Sequence, residues 1–239
     1  GDLDQALLYY AKAAACNSTD PRLLLETDFL LRRKAVRPEE RLQRLLAHRD
    51  VVNQRDDLVL ELMALYNRLG QPQKALELAR SRKYHPWEGG EGAVAGQYAN
   101  AYWLLGRQAL EAGDAKQAAE LLKTGTEYPD SLGELARDAD AVQLTYYLGA
   151  ALQQLGDSDG AAAAWEQVLD IRTSPDALSL VAYYQARALQ QTGRVAESES
   201  ALCALKLAAQ KQLDEGIASP YASRNTSNPA FYEDPNKTH

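Results

Sequence analysis

Apolar residues along this chain recur at helical spacing, in stretches separated by short polar or glycine-bearing breaks. The pattern predicts helices near 3–16, 22–35, 39–53, 56–69, 72–83, 94–112, 115–127, 139–155, 158–171, 176–192 and 195–214. Runs of Val, Ile and Thr are missing while Leu and Ala dominate, so an all-β fold is not expected. Beyond 214 the period stops. Residues 215–239, rich in Ser, Asn, Pro and Thr, are expected to form a non-helical tail to a helical domain at 1–214.

The breaks repeat. Tyr66-Asn-Arg-Leu-Gly70-Gln-Pro-Gln-Lys-Ala75, Ala109-Leu-Glu-Ala-Gly113-Asp-Ala-Lys-Gln-Ala118 and Leu152-Gln-Gln-Leu-Gly156-Asp-Ser-Asp-Gly-Ala161 align directly, their glycines 43 and 43 residues apart. A fainter copy, Leu189-Gln-Gln-Thr-Gly193-Arg-Val-Ala-Glu-Ser198, follows 37 residues on. Each copy has the physics of a helical hairpin. Glycine at the end of a helix takes the left-handed conformation that closes it. Asp114 and Asp157 stand where the next helix needs an N-cap acceptor. The small residue five places after the glycine lets the second helix approach the first. Gly106 and Gly149 lie inside first helices, where glycine costs about 1 kcal/mol against Ala and so implies close packing.

These residues resemble the tetratricopeptide repeat. One copy carries Tyr102, Leu105, Gly106, Ala109, Gly113, Asp114, Ala118 and Leu122, with Pro129 after it. The next carries Leu148, Gly149, Leu152, Gly156, Asp157, Ala161, Trp165 and Val168, with Pro175 after it. The likeness extends to Gly70 and Ala75, weakens where Ser198 replaces the alanine, and is faintest at 22–54, where Pro38 opens a helix but no glycine marks the turn. Second helices keyed on Ala6, Leu42, Ala75, Ala118, Ala161 and Ser198 are 36, 33, 43, 43 and 37 residues apart. The family period is about 34, so insertions are expected at Tyr84–Gly92 and Tyr128–Ala136. Over residues 1–214 the resemblance implies an all-α, right-handed solenoid of about five helical hairpins. It would open on an orphan helix at 3–16, whose first-helix partner is expected upstream of a fragment.

Composition narrows the chemistry. A net charge of −7 argues against a nucleic-acid partner, which needs a Lys/Arg surplus. Cys16 and Cys203 fit no metal spacing, and His48, His85 and His239 have no second ligand at helical spacing. Gly89-Gly90-Glu91-Gly92 is followed by no Lys-Ser/Thr, so it is not a phosphate loop. No run of 18 apolar residues and no signal peptide occurs, so neither membrane insertion nor export is expected, and the reading is cytoplasmic. Neither a cofactor nor a catalytic group is expected.

Two places remain. The first insertion gathers His85, Trp87, Glu88 and Glu91 within eight residues. There Trp87 offers a stacking face, and Glu88 or Glu91 an acceptor or acid/base. The same residues also read as a structured connector, with Trp87 as a plug and Glu91 close to the next helix N-terminus. This stretch is also similar to one in tetratricopeptide tails of large bacterial proteins whose upstream domains resemble carbohydrate-active enzymes.

The second place is the concave groove that the repeat resemblance implies. Its column would hold Trp103, Tyr146 and Tyr183, with Arg107 and Arg187 one turn along and Asn100 and Gln153 flanking. Aromatic faces with amides and guanidinium forks suit a peptide or a glycan; the rings also read as filling between helices. The chaperone-tail clamp of this family places Lys and Asn where this chain has aromatics and arginines, which speaks against that role. The expected function is a protein-interaction or scaffold module binding a peptide segment or an adjacent domain. The alternative is an accessory glycan-binding region supporting an upstream enzyme.

Overall fold

The structure is a computed structural model, described here for residues 2–133, 138–172 and 178–215. Among these residues it is all-α, with helices α1 (Leu3–Cys16), α2 (Pro21–Arg33), α3 (Pro38–Ala47), α4 (Arg49–Val52), α5 (Asp56–Arg68), α6 (Pro72–Arg80), α7 (Ala93–Glu111), α8 (Ala115–Thr124), α9 (Asp138–Gln154), α10 (Ser158–Asp170), α11 (Leu180–Gln191) and α12 (Val195–Glu215). The final helix runs through 215, and the expected tail at 216–239 lies outside the described residues. Two compact units are present, one built on residues 2–69 and one on 70–212.

In the first unit, α2 packs on α1, α3, α4 and α5. The core is Leu24, Leu25, Leu30, Leu42, Leu45, Val52, Leu58, Leu62 and Met63. The turn after α2 lacks glycine, yet its geometry is that of the glycine turns. Ala35 takes φ +56°, and Val36 N–H donates to Leu31 O at 3.0 Å. The single helix expected over 39–53 is broken at His48. There φ is −119° and ψ 36°, and Nδ1 hydrogen-bonds the Arg44 carbonyl at 2.9 Å, so the side chain joins the backbone turn that ends α3. Helix α1 has no fully buried residue; Leu3, Leu7 and Tyr10 are half-buried while Leu8 and Tyr9 are exposed.

This unit also buries an ion network. Asp28 is 0% exposed and accepts from Arg41 Nε at 3.1 Å and Nη2 at 2.5 Å. Arg41 Nη2 reaches Glu61 Oε2 at 2.8 Å, and Arg32 Nη1 reaches Glu61 Oε1 at 3.0 Å. Burial pushes the Glu61 carboxyl above its ordinary range, against the pull of Arg32 and Arg41. Burial pulls Arg41 down, but Asp28 and Glu61 outweigh it and raise the guanidinium.

The second unit stacks hairpins. Helix α7 packs on α8 and α9, α8 on α9, α9 on α10 and α11, and α10 on α11, the neighbour-on-neighbour order of a helical repeat. Gly113, Gly156 and Gly193 have φ near +80°, and the residue after each donates back to Ala109 O, Leu152 O and Leu189 O at 2.9, 3.0 and 2.8 Å. Asp114 and Asp157 cap α8 and α10, each accepting a backbone N–H at 2.9 Å. A Cβ on Gly106 would lie 2.4 Å from Leu122 Cγ, and one on Gly149 2.5 Å from Trp165 Nε1, so both glycines are seats for a side chain of the second helix. Gln185 on α11 donates its amide to the carbonyls of Val168, Leu169 and Ile171 at 3.1, 3.2 and 2.6 Å, closing α10 where no glycine does. Helices α6 and α8 end at Arg80 and Thr124, a few residues earlier than the pattern predicts. Helix α11 begins at Leu180, after non-helical Leu178 and Ser179; the expected start at 176 lies outside the described residues.

Candidate functional site

Helices α7, α9 and α11 are the first members of successive hairpins, and they bring an aromatic strip together. Trp103 of α7 meets Tyr147 of α9 edge-on, ring centres 6.0 Å apart. Tyr147 meets Tyr184 of α11 at 6.2 Å, and Tyr184 meets Tyr183 at 5.2 Å. Tyr146 lies beneath, 5.1 Å from Tyr184 and 5.5 Å from Tyr147. Trp103 and Tyr147 are half-buried and Tyr183 is 40% exposed, whereas Tyr146 is only 6% exposed. The ring expected to line the groove from α9 is therefore a core ring, and Tyr147 is its accessible neighbour. Each helix offers adjacent aromatics to two faces, and α9 is rotated so that Tyr146 packs in the cluster of Val142, Ala161, Trp165 and Val168. Trp165 fixes that rotation by donating its indole N–H to Tyr146 O at 3.1 Å.

The arginines hold to the strip. The Arg107 guanidinium carbon stands 5.0 Å over the Trp103 ring, and that of Arg187 stands 5.9 Å over Tyr146. Arg187 Nη1 donates to the Tyr183 hydroxyl at 3.1 Å, a contact that raises the guanidinium above its ordinary value. Arg107 Nε lies 3.2 Å from Glu111 Oε1 without hydrogen-bond alignment. Three buried donors on the strip, Trp103 Nε1, Arg107 Nε and Arg187 Nε, have no hydrogen-bond acceptor among the described residues. Asn100 is half-buried, three residues before Trp103; Gln153 is exposed near the end of α9, seven residues beyond Tyr146, and shares no ring contact.

The insertion arranges its residues differently. Trp87 folds back on Gly90, where a Cβ would sit 2.0 Å from the indole. His85, Pro86, Trp87, Gly90, Gly92, Val94, Ala95 and Leu132 line a hollow of about 190 Å³ that is partly open to solvent. Glu91 turns away to accept Gly89 N–H at 3.0 Å, and Glu88 is exposed and does not line the hollow. The two insertions hold each other: Tyr84 N–H donates to Ser131 O at 2.8 Å, and Gly133 at φ +85° lies against Tyr84 O. The geometry is that of a connector built by its own turns. Residues 134–137 of the second insertion lie outside the described residues. Among the described residues no group of three His, Cys, Asp or Glu side chains is placed to hold a metal, and no helix is long and apolar enough to cross a membrane.

Repeat architecture and the strip now meet comparison with known proteins. Residues 99–123 and 142–167 match the tetratricopeptide repeat family. They cover most of α7–α8 and α9–α10, including Trp103, Arg107, Tyr146 and Tyr147. Among solved structures, the chain is similar to the nearly identical TPR-like repeats of a kinesin light chain from Podosopora anserina, at 20% identity, TM-score 0.39, over 80% of this chain and 95% of that one.

Sequence reasoning missed Tyr147 and Tyr184 as strip members, and the Arg41–Asp28–Glu61 network altogether. The first pair had a signal, the doubled aromatics of α9 and α11, whose faces could not be told apart without the helix rotation. The network had none, since its members are 13 and 20 residues apart on helices whose pairing is a tertiary fact.

Proposed function

We propose that this chain is a protein-interaction module that docks a peptide segment, or a segment of an adjacent domain, across the α7–α9–α11 face. The observation that carries the reading is the strip itself. Accessible rings, Trp103, Tyr147 and Tyr183, stand beside buried donors that no described residue satisfies. An unpaired buried donor costs roughly 1–3 kcal/mol, and a bound acceptor removes that cost. An extended peptide supplies a carbonyl acceptor at every residue and side chains that settle between rings. The match of 99–123 and 142–167 to a repeat family supports the reading. A glycan needs open ring faces for stacking, and Arg107 already covers one face of Trp103, which favours the peptide over the sugar. Exposed thiols at Cys16 and Cys203 suit the reducing cytoplasmic setting that belongs to this proposal.

Selection from a random peptide library with the full chain tests it. Recovered peptides are expected to lose binding to Trp103→Ala and Tyr183→Ala and to keep it with His85→Ala. Peptides indifferent to both strip variants, or selection that yields no binder, overturn the reading.

A further inference from the structure

We propose that the segment bound on this face carries two carboxylates set five or six residues apart. The inference rests on the peptide reading above and adds its chemistry. Every unsatisfied buried polar atom on the strip is a donor: Trp103 Nε1, Arg107 Nε and Arg187 Nε. A strip with only donors to spare asks for acceptors, and two of the three belong to cations. Guanidinium N–H groups gain about twice as much from a charged acceptor as from a neutral one, so carboxylates complement Arg107 and Arg187 better than backbone carbonyls do. The indole, a single neutral donor, is left for a carbonyl between them.

The helices set the spacing. Arg107 belongs to α7 and Arg187 to α11; α9 packs on both. Packed helices lie about 8–10 Å apart, so two steps span roughly 16–20 Å. An extended chain advances about 3.3 Å per residue, and five or six residues cover that span. One guanidinium on each outer helix suits two separate monoanions better than a single dianion, which would draw on one arginine only. Glu111, exposed on α7, now stands beside Arg107 at 3.2 Å without alignment, and an incoming carboxylate displaces it.

Two blocked peptides form the test, titrated into the full chain and followed by the indole N–H resonances of its three tryptophans. One is Ac-Gly-Glu-Leu-Ser-Leu-Ser-Glu-Gly-NH2, and the other has Gln for both Glu. A third peptide places its two Glu side by side. The spaced Glu peptide is expected to shift the resonance that Trp103→Phe removes, and to bind about tenfold or more tighter than the Gln peptide. The adjacent-Glu peptide is expected to fall with the Gln peptide. Arg107→Gln and Arg187→Gln are each expected to weaken the spaced Glu peptide about tenfold and leave the Gln peptide unchanged. If either variant fails to fold, the three peptides on the unaltered chain decide alone. Equal binding of Glu and Gln peptides overturns the carboxylate proposal while the docking face stands. Equal binding of spaced and adjacent Glu overturns the spacing. No shift at Trp103 with any of them overturns the proposal as a whole, and the library selection then judges the broader reading independently.

Discussion

Two residues show how finely backbone and side chain are matched. Gly149 admits the Trp165 indole so closely that a methyl group would overlap it, the nearest atom being at 2.5 Å. Trp165 is not a flexible end that swings aside, because its N–H is held by Tyr146 O at 3.1 Å. Gly149→Ala is therefore expected to cost about 1–3 kcal/mol, the range for overpacking, although alanine is the better helix former by about 1 kcal/mol. Urea melts followed by tryptophan emission check it; an unchanged midpoint would mean that the indole has room to move. Ala35 is the converse. It holds φ +56° in a turn that three sister repeats build with glycine at about +80°. A left-handed non-glycine residue costs about 1–2 kcal/mol, and the gain in unfolded-state entropy on mutation to glycine offsets part of it. Ala35→Gly is expected to raise the thermal midpoint by a few degrees. A lowered midpoint would show that Ala35 contributes contacts worth more than the strain.

At the scale of elements, helix ends are closed in more than one way, and this decided what the sequence made legible. Hairpins ending at Gly113, Gly156 and Gly193 announce themselves, because glycine and the following cap are local signals. The end of α10 carries no such mark. Its last carbonyls are taken by Gln185, fourteen to seventeen residues later on α11. In the sequence Gln185 is one glutamine among several. Gln185→Leu keeps the volume but leaves three carbonyl contacts unmade, and it is expected to destabilise by about 1–3 kcal/mol. Amide exchange is expected to quicken in the last turn of α10 before it does in α9; uniform loss of protection would assign Gln185 to the core instead. The same limit explains the site. Spacing found the columns holding Trp103 and Arg107, Tyr183 and Arg187, since residues one turn apart share a face. It put Tyr146 in place of Tyr147 because a period of 3.6 does not fix which of two adjacent rings looks outward. That choice is made by Trp165 on the neighbouring helix.

Over the whole molecule, the tyrosines make stability depend on alkali. Tyr98 and Tyr184 are driven well above their ordinary range, in both cases first by burial. Tyr128 is pushed up to about 12 from 10.0, first by burial and then by Asp140, and its buried hydroxyl has no hydrogen-bond partner. A phenol held neutral in the folded chain ionises earlier in the unfolded one. Its contribution is complete below pH 10 and is lost as pH rises through about 12, because above 10 the folded state binds more protons. Tyr128→Phe separates the two effects. Near pH 7 it removes a hydroxyl that is buried without a partner, so the urea midpoint is expected to hold or rise, unlike most core substitutions. Between pH 10 and 12 the variant is expected to lose less stability than the parent, and the gap to widen with pH. A lower midpoint at pH 7 would reveal a bond to the hydroxyl, and a gap constant with pH would place the alkaline transition on Tyr98 and Tyr184 alone.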